Sequence, residues 1–181
     1  MIMARIPEDC RINQTDYDDV ALGTTTVGDD GCAACCLAMR LLSLMDTEVD
    51  DDLRKDAVEA IASSGFFTSE GWIYNPPQSQ SVTVNSESYT IGYQTTSDLA
   101  AEILNGKTGY VHFEYGRASH YVFVDGINRN ETNHLKKLLV VDPSDGLSKN
   151  LYEAMEDSYS YNGYSNITPS TTHLTLKCVF T

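Results

Sequence analysis

Three side chains in this sequence have the chemistry of a nucleophile, a base and an orienting acid. Cys32 follows a glycine-rich turn within residues 28–42, GDDGCAACCLAMRLL. His120 begins an apolar run directly after turn residues, and Asp142 ends the next apolar run directly before Pro143. Nucleophilic catalysis by a thiol needs a base that holds its proton and a third group that orients the base. Cys32, His120 and Asp142 are therefore the candidate catalytic residues.

Cys32 is predicted to lie at the N-terminus of a buried helix that runs to about Met45. The run after it is apolar on all sides, with Arg40 as its only charge, which is typical of a buried helix. Free peptide N–H groups and the positive end of the helix dipole favour a thiolate at this position. The alternative interpretation is a small core residue, because free cysteine is among the most buried residue types. We favour that interpretation for Cys35 and Cys36, and the nucleophile for Cys32.

Gln14 is the candidate donor to an oxyanion. It lies in residues 12–28, a polar and turn-rich segment without a sustained period, which is predicted to run over the surface to Cys32. Its amide N–H and the backbone N–H of Cys32 together would bind the negative charge that builds on a carbonyl oxygen. Gln14 thus completes the set of groups that thiol catalysis requires.

Two of these assignments have a competing interpretation. His112 lies in a strand-like run of its own and is the alternative base, whereas His134 lies in a polar loop and His173 in a late strand. Asp142 precedes Pro143, and an Asp-Pro pair is also a common turn. The order along the chain, with Cys first, then His, then Asp, favours the catalytic interpretation.

The elements that must position these residues follow from the spacing of apolar side chains. Helical spacing and caps predict helices over residues 51–63 and from Ser97 to a stop at 105–106. Alternation predicts strands at residues 81–94 (a hairpin turning at 85–86), 109–115, 119–126, 138–143 and 173–180. Short loops between strands favour an antiparallel sheet. Residues 157–172 are predicted to be a loop, and the aromatic stretch 66–74 to line a cleft or to fill the core.

The composition predicts one globular domain over residues 1–181. The chain is 41% hydrophobic and 21% charged, with a formal net charge of −14. That charge repels phosphate backbones and anionic membranes, so we expect no nucleic-acid or membrane partner and an electrostatic preference for cationic peptide segments. Five cysteines are an odd number, and a chain of this size does not need disulfides, so the thiols are predicted to be reduced.

The opening residues, MIMARIPEDC, contain no apolar segment of the kind found in signal peptides. No stretch approaches 18 consecutive apolar residues. These features predict a cytoplasmic protein, with a secreted or phage-borne form left open because a signal peptide is removable.

The candidate residues lie in stretches that resemble a known family. INQTDYDDVALGTTTVGDDGCAACCLAM, SHYVFVDG and LLVVDPSDG are similar to papain-like cysteine peptidases related to the double-glycine leader peptidases of bacteriocin export. That family shows a Gln followed by Asp and an aromatic residue, then G-C-G-x-x-x-x-A-M on a helix, later G-H and a hydrophobic residue, and then D-P. Here Ala33 and Ser119 stand where the family commonly has Gly, and neither difference removes a reacting group.

By this resemblance Cys32, His120 and Asp142 match the family's catalytic Cys, His and Asp, and Gln14 matches its oxyanion Gln. The resemblance implies a papain-like α+β fold, in which a helical half carries the Cys and an antiparallel half carries the His and Asp. It implies hydrolysis of a peptide or isopeptide bond in a peptide or protein substrate through a thioester acyl-enzyme, with no metal and no organic cofactor.

Three alternatives remain at this point. An amine acceptor in place of water would make the same fold an acyltransferase or ligase. A catalytically silent module would use the cleft only to hold a peptide. A zinc site is the weakest alternative, because Cys32, Cys35 and Cys36 have no second ligand pair at a usable spacing.

Overall fold

A computed structural model describes residues 6–181 of the chain. Residues 1–5, which belong to the opening stretch discussed above, lie outside the described residues. The α-helices are α1 (Val27–Asp30), α2 (Cys32–Leu42), α3 (Asp51–Ala62), α4 (Leu99–Leu104), α5 (His134–Lys137) and α6 (Leu151–Tyr161). The strands are β1 (Ala21–Leu22), β2 (Thr25–Thr26), β3 (Gln78–Val84), β4 (Glu87–Thr95), β5 (Gly109–Tyr115), β6 (Ala118–Ile127), β7 (Leu138–Asp142), β8 (Leu147–Asn150) and β9 (Leu174–Phe180).

Seven of these strands form one sheet in the order β3-β4-β9-β5-β6-β7-β8, and every neighbouring pair is antiparallel. The last strand of the chain, β9, lies between β4 and β5 and thereby joins the hairpin to the remaining four strands. β1 and β2 form a separate short pair. The predicted α+β class with an antiparallel sheet is confirmed.

Both faces of the sheet are covered, which explains why its central strands are almost continuously apolar. Tyr110 and Phe123 belong to the core that α2 and α3 form on one face. Their neighbours Val111 and Val122 belong to a second core, which α4 and α6 form on the other face. Successive side chains of a strand point to opposite faces, so each strand contributes to both cores.

The chain enters α2 differently from the prediction. The predicted glycine turn before Cys32 is mostly the short helix α1, which Thr26 caps by accepting a hydrogen bond from the backbone N–H of Asp29. Gly31 alone separates the two helices. A Cβ on Gly31 would lie 2.5 Å from the Cα of Val27, so the junction requires glycine. α2 ends at Leu42, before the predicted Met45.

The structure places a helix where part of a loop was predicted. Residues 157–161 belong to α6, whose N-terminus carries a capping box between Asn150 and Glu153. Its buried side chains recur at helical spacing and are Leu151, Ala154, Met155 and Tyr159. Ser158, Ser160 and Tyr161 lie on the more accessible side of this helix, and residues 162–170 form the remaining part of the predicted loop.

Several local predictions agree with the structure. Asp50 caps α3 by accepting from the backbone N–H of Leu53, and Asn85 and Ser86 form the β3–β4 turn with left-handed φ values of 51° and 68°. α4 begins at Leu99 with Asp98 as its cap, one residue after the predicted Ser97, because the Asp98 carboxylate accepts from the backbone N–H of Ala101.

The aromatic stretch 66–74 has both of the predicted roles. Phe66 and Phe67 are buried in the core, whereas Trp72 is 71% exposed and lines a cleft. In residues 6–181, no helix combines the length and the apolar character that crossing a bilayer requires.

Candidate active site

Cys32 is the first residue of α2, and its side chain lines a cleft of about 830 Å³ between the helices and the sheet. All five cysteines lie in the described residues, and all are free. Cys10, Cys35, Cys36 and Cys178 are buried, whereas Cys32 is partly accessible. Cys32 is therefore the thiol that a molecule in the cleft can reach.

His120 and Asp142 form a direct hydrogen bond. The distance from His120 Nε2 to Asp142 Oδ1 is 2.7 Å. In the β6–β7 pairing Phe123 lies opposite Val141, and continuing this register places Asp142 opposite Val122, two residues from His120. Side chains two residues apart share a face of the sheet, so the two residues are diagonal neighbours and not directly opposed.

The second ring nitrogen of His120 is left for the thiol. Because Nε2 is bonded to Asp142, Nδ1 is the ring nitrogen left for Cys32, which lines the same cleft and whose interaction with His120 raises the pKa of the imidazole. Burial by itself lowers the pKa of His120, but the hydrogen bonds to Asp142 and Cys32 and the charges of both residues raise it to about 10. Both partners thus stabilise the protonated form of the imidazole.

Asp142 is almost completely buried, with 1% of its surface exposed. Burial raises the pKa of this carboxyl, but the hydrogen bond to His120 and those from Ser144 hold it well below its usual range. The Ser144 donors are its backbone N–H at 2.9 Å and its Oγ at 2.8 Å, both to Oδ1. Asp142 also begins a turn, since its carbonyl oxygen accepts from Gly146 N at 2.7 Å. Asp142 is therefore both a turn residue and the hydrogen-bond partner of His120.

Gln14 lines the same cleft but is more enclosed than predicted. The residue is 8% exposed, and its Nε2 donates to the carbonyl oxygen of Gly28 at 2.9 Å. An amide nitrogen has two hydrogens, so one N–H remains for a further acceptor. Its backbone N–H donates to Pro143 O at 2.7 Å, which ties this segment to the turn after Asp142.

The segment that contains Gln14 is not the surface chain that its polar sequence predicted. Ile12, Tyr17, Val20 and Val27 are all buried in the core. They recur without a helical or strand period, because the segment consists of a 3₁₀ turn, a short strand pair and α1. A search for periodicity could not detect them.

His112 also lines the cleft, but its ring nitrogens are engaged by hydroxyl groups. Nε2 pairs with Ser119 Oγ at 2.9 Å, and Nδ1 pairs with Thr175 Oγ1 at 2.6 Å. The ring stacks on Tyr121 with centroids 4.1 Å apart. Burial lowers the pKa of His112, the opposite direction from His120. The structure brings His120, and not His112, to the Cys32 thiol and the Asp142 carboxylate.

The cleft has two walls of different origin. The helical wall is formed by the lining residues from the N-terminal half of the chain. These are Gln14, Thr15, Thr25, Gly28, Asp29, Asp30, Cys32, Ala33, Glu70, Gly71, Trp72 and Ile73. The sheet wall consists of His112, Glu114, Arg117, Ser119, His120, Tyr121, Ser144, Asp145, Asp157, Ser158, Tyr161 and Asn162. An exposed aromatic side chain lies on each wall, Trp72 on one and Tyr161 on the other.

Sequence reasoning missed two residues that contact Asp142. Ser144 is one, and its position two residues after an Asp is a recognisable turn signal. Lys149 is the other, with its Nζ 3.4 Å from Asp142 Oδ2. Nothing in the local sequence indicates this contact, because it depends on how β8 pairs with β7.

Within residues 6–181 no group of three or more His, Cys, Asp or Glu side chains is arranged to hold a metal ion. No family model matches this chain, and neither a curated protein nor a solved structure matches it. The chemistry of this cleft is therefore the basis for a functional proposal.

Proposed function

We propose that this chain is a papain-like cysteine peptidase that hydrolyses a peptide or isopeptide bond. The observation that carries the proposal is the hydrogen bond of 2.7 Å between His120 Nε2 and the Asp142 carboxylate, in the cleft that the Cys32 thiol also lines. A cleft that is open to solvent gives a substrate carbonyl access to the sulfur.

The first half of the reaction forms a thioester. The proton of the Cys32 thiol passes to His120 Nδ1, and the sulfur attacks the carbonyl carbon. Negative charge moves to the carbonyl oxygen, where the backbone N–H of Cys32 and the free N–H of Gln14 are the proposed donors. As the tetrahedral intermediate collapses, the His120 imidazolium gives its Nδ1 proton to the leaving amine. The carbon–nitrogen bond breaks, and the amine product leaves.

The second half releases the acyl group. Neutral His120 takes a proton from a water molecule, whose oxygen attacks the thioester carbonyl. Collapse of this second intermediate breaks the carbon–sulfur bond and releases the carboxylic acid product, and the thiol and imidazole return to their starting state. Throughout, Asp142 accepts the hydrogen bond from Nε2, which keeps Nδ1 directed at the sulfur.

Two features of the fold support the papain-like assignment. The nucleophile lies at the N-terminus of a helix that packs on one face of an antiparallel sheet, and the base and acid lie on adjacent strands of that sheet. The cleft lies between these two parts. The bond from Nε2 to Asp142 leaves Nδ1 for the thiol, as a thiol–imidazole pair oriented by a third residue requires.

The direct test is selective labelling of Cys32, read by peptide mass spectrometry after brief treatment with iodoacetamide at neutral pH. We expect Cys32 to react first among the five cysteines, because it is accessible and has His120 as a partner. His120→Ala is the matched control, which leaves Cys32 accessible and should abolish its advantage. Equal and slow labelling of all five native cysteines would refute the activated thiol.

The same preparation then separates the proposed reaction from its alternatives. Incubation with a peptide mixture should release new carboxyl and amino termini for a peptidase. Products joined to an added amine would indicate an acyltransferase. A silent binding module would give a different result. The wild type would cleave no peptide, and the Cys32→Ala protein would bind peptides as tightly as the wild type.

A further inference from the structure

Lys149 lies at the centre of a cluster of three carboxylates. Its Nζ is 2.7 Å from Asp145 Oδ2, 2.8 Å from Asp157 Oδ2 and 3.4 Å from Asp142 Oδ2. The Lys149 side chain is only 11% exposed. Long, flexible lysine side chains on protein surfaces usually remain in water. This one is enclosed, so its position is determined by the three carboxylates.

The contacts of Asp142 are divided between its two oxygens. Oδ1 accepts from His120 Nε2 and from both donors of Ser144. Oδ2 faces the Lys149 ammonium. With donors on one oxygen and a cation on the other, rotation of the carboxylate about its Cβ–Cγ bond would break contacts on both sides. The plane of the Asp142 carboxylate, and hence the direction in which it holds the imidazole, depends on both sets of contacts.

From this arrangement we infer that Lys149 is a positioning residue, which holds the Asp142 carboxylate in the orientation that aligns His120 with Cys32. The inference rests on the proposed function, because it assigns Lys149 to the same reaction. Lys149 acts through Asp142 and does not line the cleft itself. It is therefore distinct from the residues that would contact a substrate.

The Lys149 ammonium also connects Asp142, at the end of β7, to two residues of the sheet wall. Asp157 belongs to α6, which also supplies Tyr161 to the cleft, and Asp145 lies in the turn after β7. Lys149 bonds to both carboxylates and lies on β8, the strand that pairs with β7. One side chain thus connects the wall that a substrate would contact with the acid that orients the base.

The charge of this cluster depends on Lys149. Burial disfavours the charged form of the ammonium, but hydrogen bonds to Asp145 and Asp157 and the charge of Asp142 raise the pKa of Lys149 well above its usual value. Removing the ammonium would leave three carboxylates near one another, one of them buried. Loss of one partner from a buried ion pair is strongly destabilising, so stability and positioning must be measured separately.

The first experiment compares Lys149→Met and Lys149→Arg in a peptide-cleavage assay. We expect Lys149→Met to lower kcat about 10- to 100-fold with KM almost unchanged, as for other residues that orient a reacting group from behind it. Lys149→Arg keeps the charge and should recover most of kcat. Lys107→Met is the control, since Lys107 forms an ion pair with Glu102 at 2.9 Å and does not contact Asp142. An unchanged kcat in Lys149→Met, or a loss in Lys149→Arg as large as in Lys149→Met, would overturn the inference.

The second experiment separates positioning from stability. The double variant Lys149→Met/Asp145→Asn removes one of the repelling carboxylates, so its melting temperature should lie above that of Lys149→Met. Its kcat should stay low, because Asp142 Oδ2 still lacks its cation. A kcat that recovers together with the melting temperature would show a merely structural role. Asp145→Asn alone supplies the reference, and the double variant and Lys149→Arg keep the test open if Lys149→Met does not fold.

The third measurement needs no substrate and distinguishes the two proposals. The rate of Cys32 alkylation by iodoacetamide should be lower in Lys149→Met than in the wild type and close to wild type in Lys149→Arg. If the wild type cleaves no peptide but shows this pattern, the peptidase proposal fails and the role of Lys149 stands. If the wild type cleaves peptides and Lys149→Met matches it in both assays, the role of Lys149 fails alone.

Discussion

The two walls of the cleft place their reacting groups by different means. On the helical wall Cys32 is positioned by local structure, since α1, Gly31 and the start of α2 are consecutive in the chain. On the sheet wall His120 and Asp142 are 22 residues apart and meet only because β6 and β7 pair in one register. The position of the proposed nucleophile thus depends on a helix start, whereas the positions of the proposed base and acid depend on long-range pairing.

The walls also differ in how their carboxylates are balanced. On the helical wall the Asp29 carboxylate accepts a hydrogen bond from the Thr26 hydroxyl, and the Asp30 carboxylate accepts one from the Thr25 hydroxyl. Among the described residues, no Lys, Arg or His side chain lines this wall. On the sheet wall Asp145 and Asp157 each bond to Lys149, and Arg117 adds a second cation. Uncompensated negative charge is therefore concentrated on the wall that carries the thiol.

The largest expected effect lies on the sheet wall. His120→Ala should lower kcat/KM by about 10⁴-fold or more, the usual scale for loss of a triad member. His112→Ala is its matched control in the same sheet and the same cleft. Its activity should fall less than about tenfold, while its stability falls by roughly 1–3 kcal/mol because two partly buried hydroxyl partners lose their hydrogen bonds.

Peptide-cleavage kinetics and urea denaturation of the two variants provide the measurement. If His112→Ala removed activity and His120→Ala spared it, the base would be His112 and the assignment of His120 would be wrong. The sheet wall would then act through the Ser119–His112–Thr175 chain instead of through Asp142.

A smaller effect is expected on the helical wall at Gln14. If its free N–H donates to the oxyanion, Gln14→Ala should slow acylation by about 10²–10³-fold, or roughly 3–4 kcal/mol, and hardly alter ground-state binding. Because the Gln14 amide also bonds to Gly28, we expect a loss of about 1 kcal/mol in stability as well.

Stopped-flow acylation and thermal melting test this prediction side by side. Thr15→Ala is a suitable control, since Thr15 lines the cleft next to Gln14 and its hydroxyl donates to the nearby Asn13 side chain. An acylation rate for Gln14→Ala equal to that of the control would leave backbone N–H groups near Cys32 as the oxyanion donors.

The smallest expected effect concerns charge preference. A peptide with Lys or Arg should bind the Cys32→Ala protein severalfold more tightly than its Glu counterpart, and added salt should reduce the difference. The single tryptophan of the chain, Trp72, lies on the helical wall and reports binding by fluorescence. In that background Asp30→Asn should reduce the preference more than Asp157→Asn, whose carboxylate is already bonded to Lys149. Equal effects of the two substitutions would contradict the difference between the walls.

The sequence alone was sufficient for features whose cause lies within a few residues. The start of α2 at Cys32 follows from an apolar run after a glycine, and the start of α3 follows from a cap at Asp50. The turn at residues 85–86 follows from a polar pair between alternating strands. Each of these depends on local hydrogen bonds and backbone preferences, which a short stretch of sequence contains.

Local patterns were misleading where a segment had mixed roles. Residues 12–28 are polar on average, yet Ile12 and Val27 are fully buried. Residues 157–161 have a loop-like composition, yet they end a helix whose capping box begins at Asn150. Average composition describes the exposed side of such segments, while the few buried side chains determine their structure.

The site itself required the tertiary structure. Sequence patterns singled out Cys32, His120, Asp142 and Gln14. Only the register of β6 with β7 decided that Asp142 contacts His120. The rival base, His112, bonds to the hydroxyls of Ser119 and Thr175. The insertion of β9 between β4 and β5 and the meeting of Lys149 with three carboxylates had no local signal. Such contacts join residues that are distant in the chain, and their geometry is set by strand pairing and packing of the whole sheet, which no short stretch of sequence specifies.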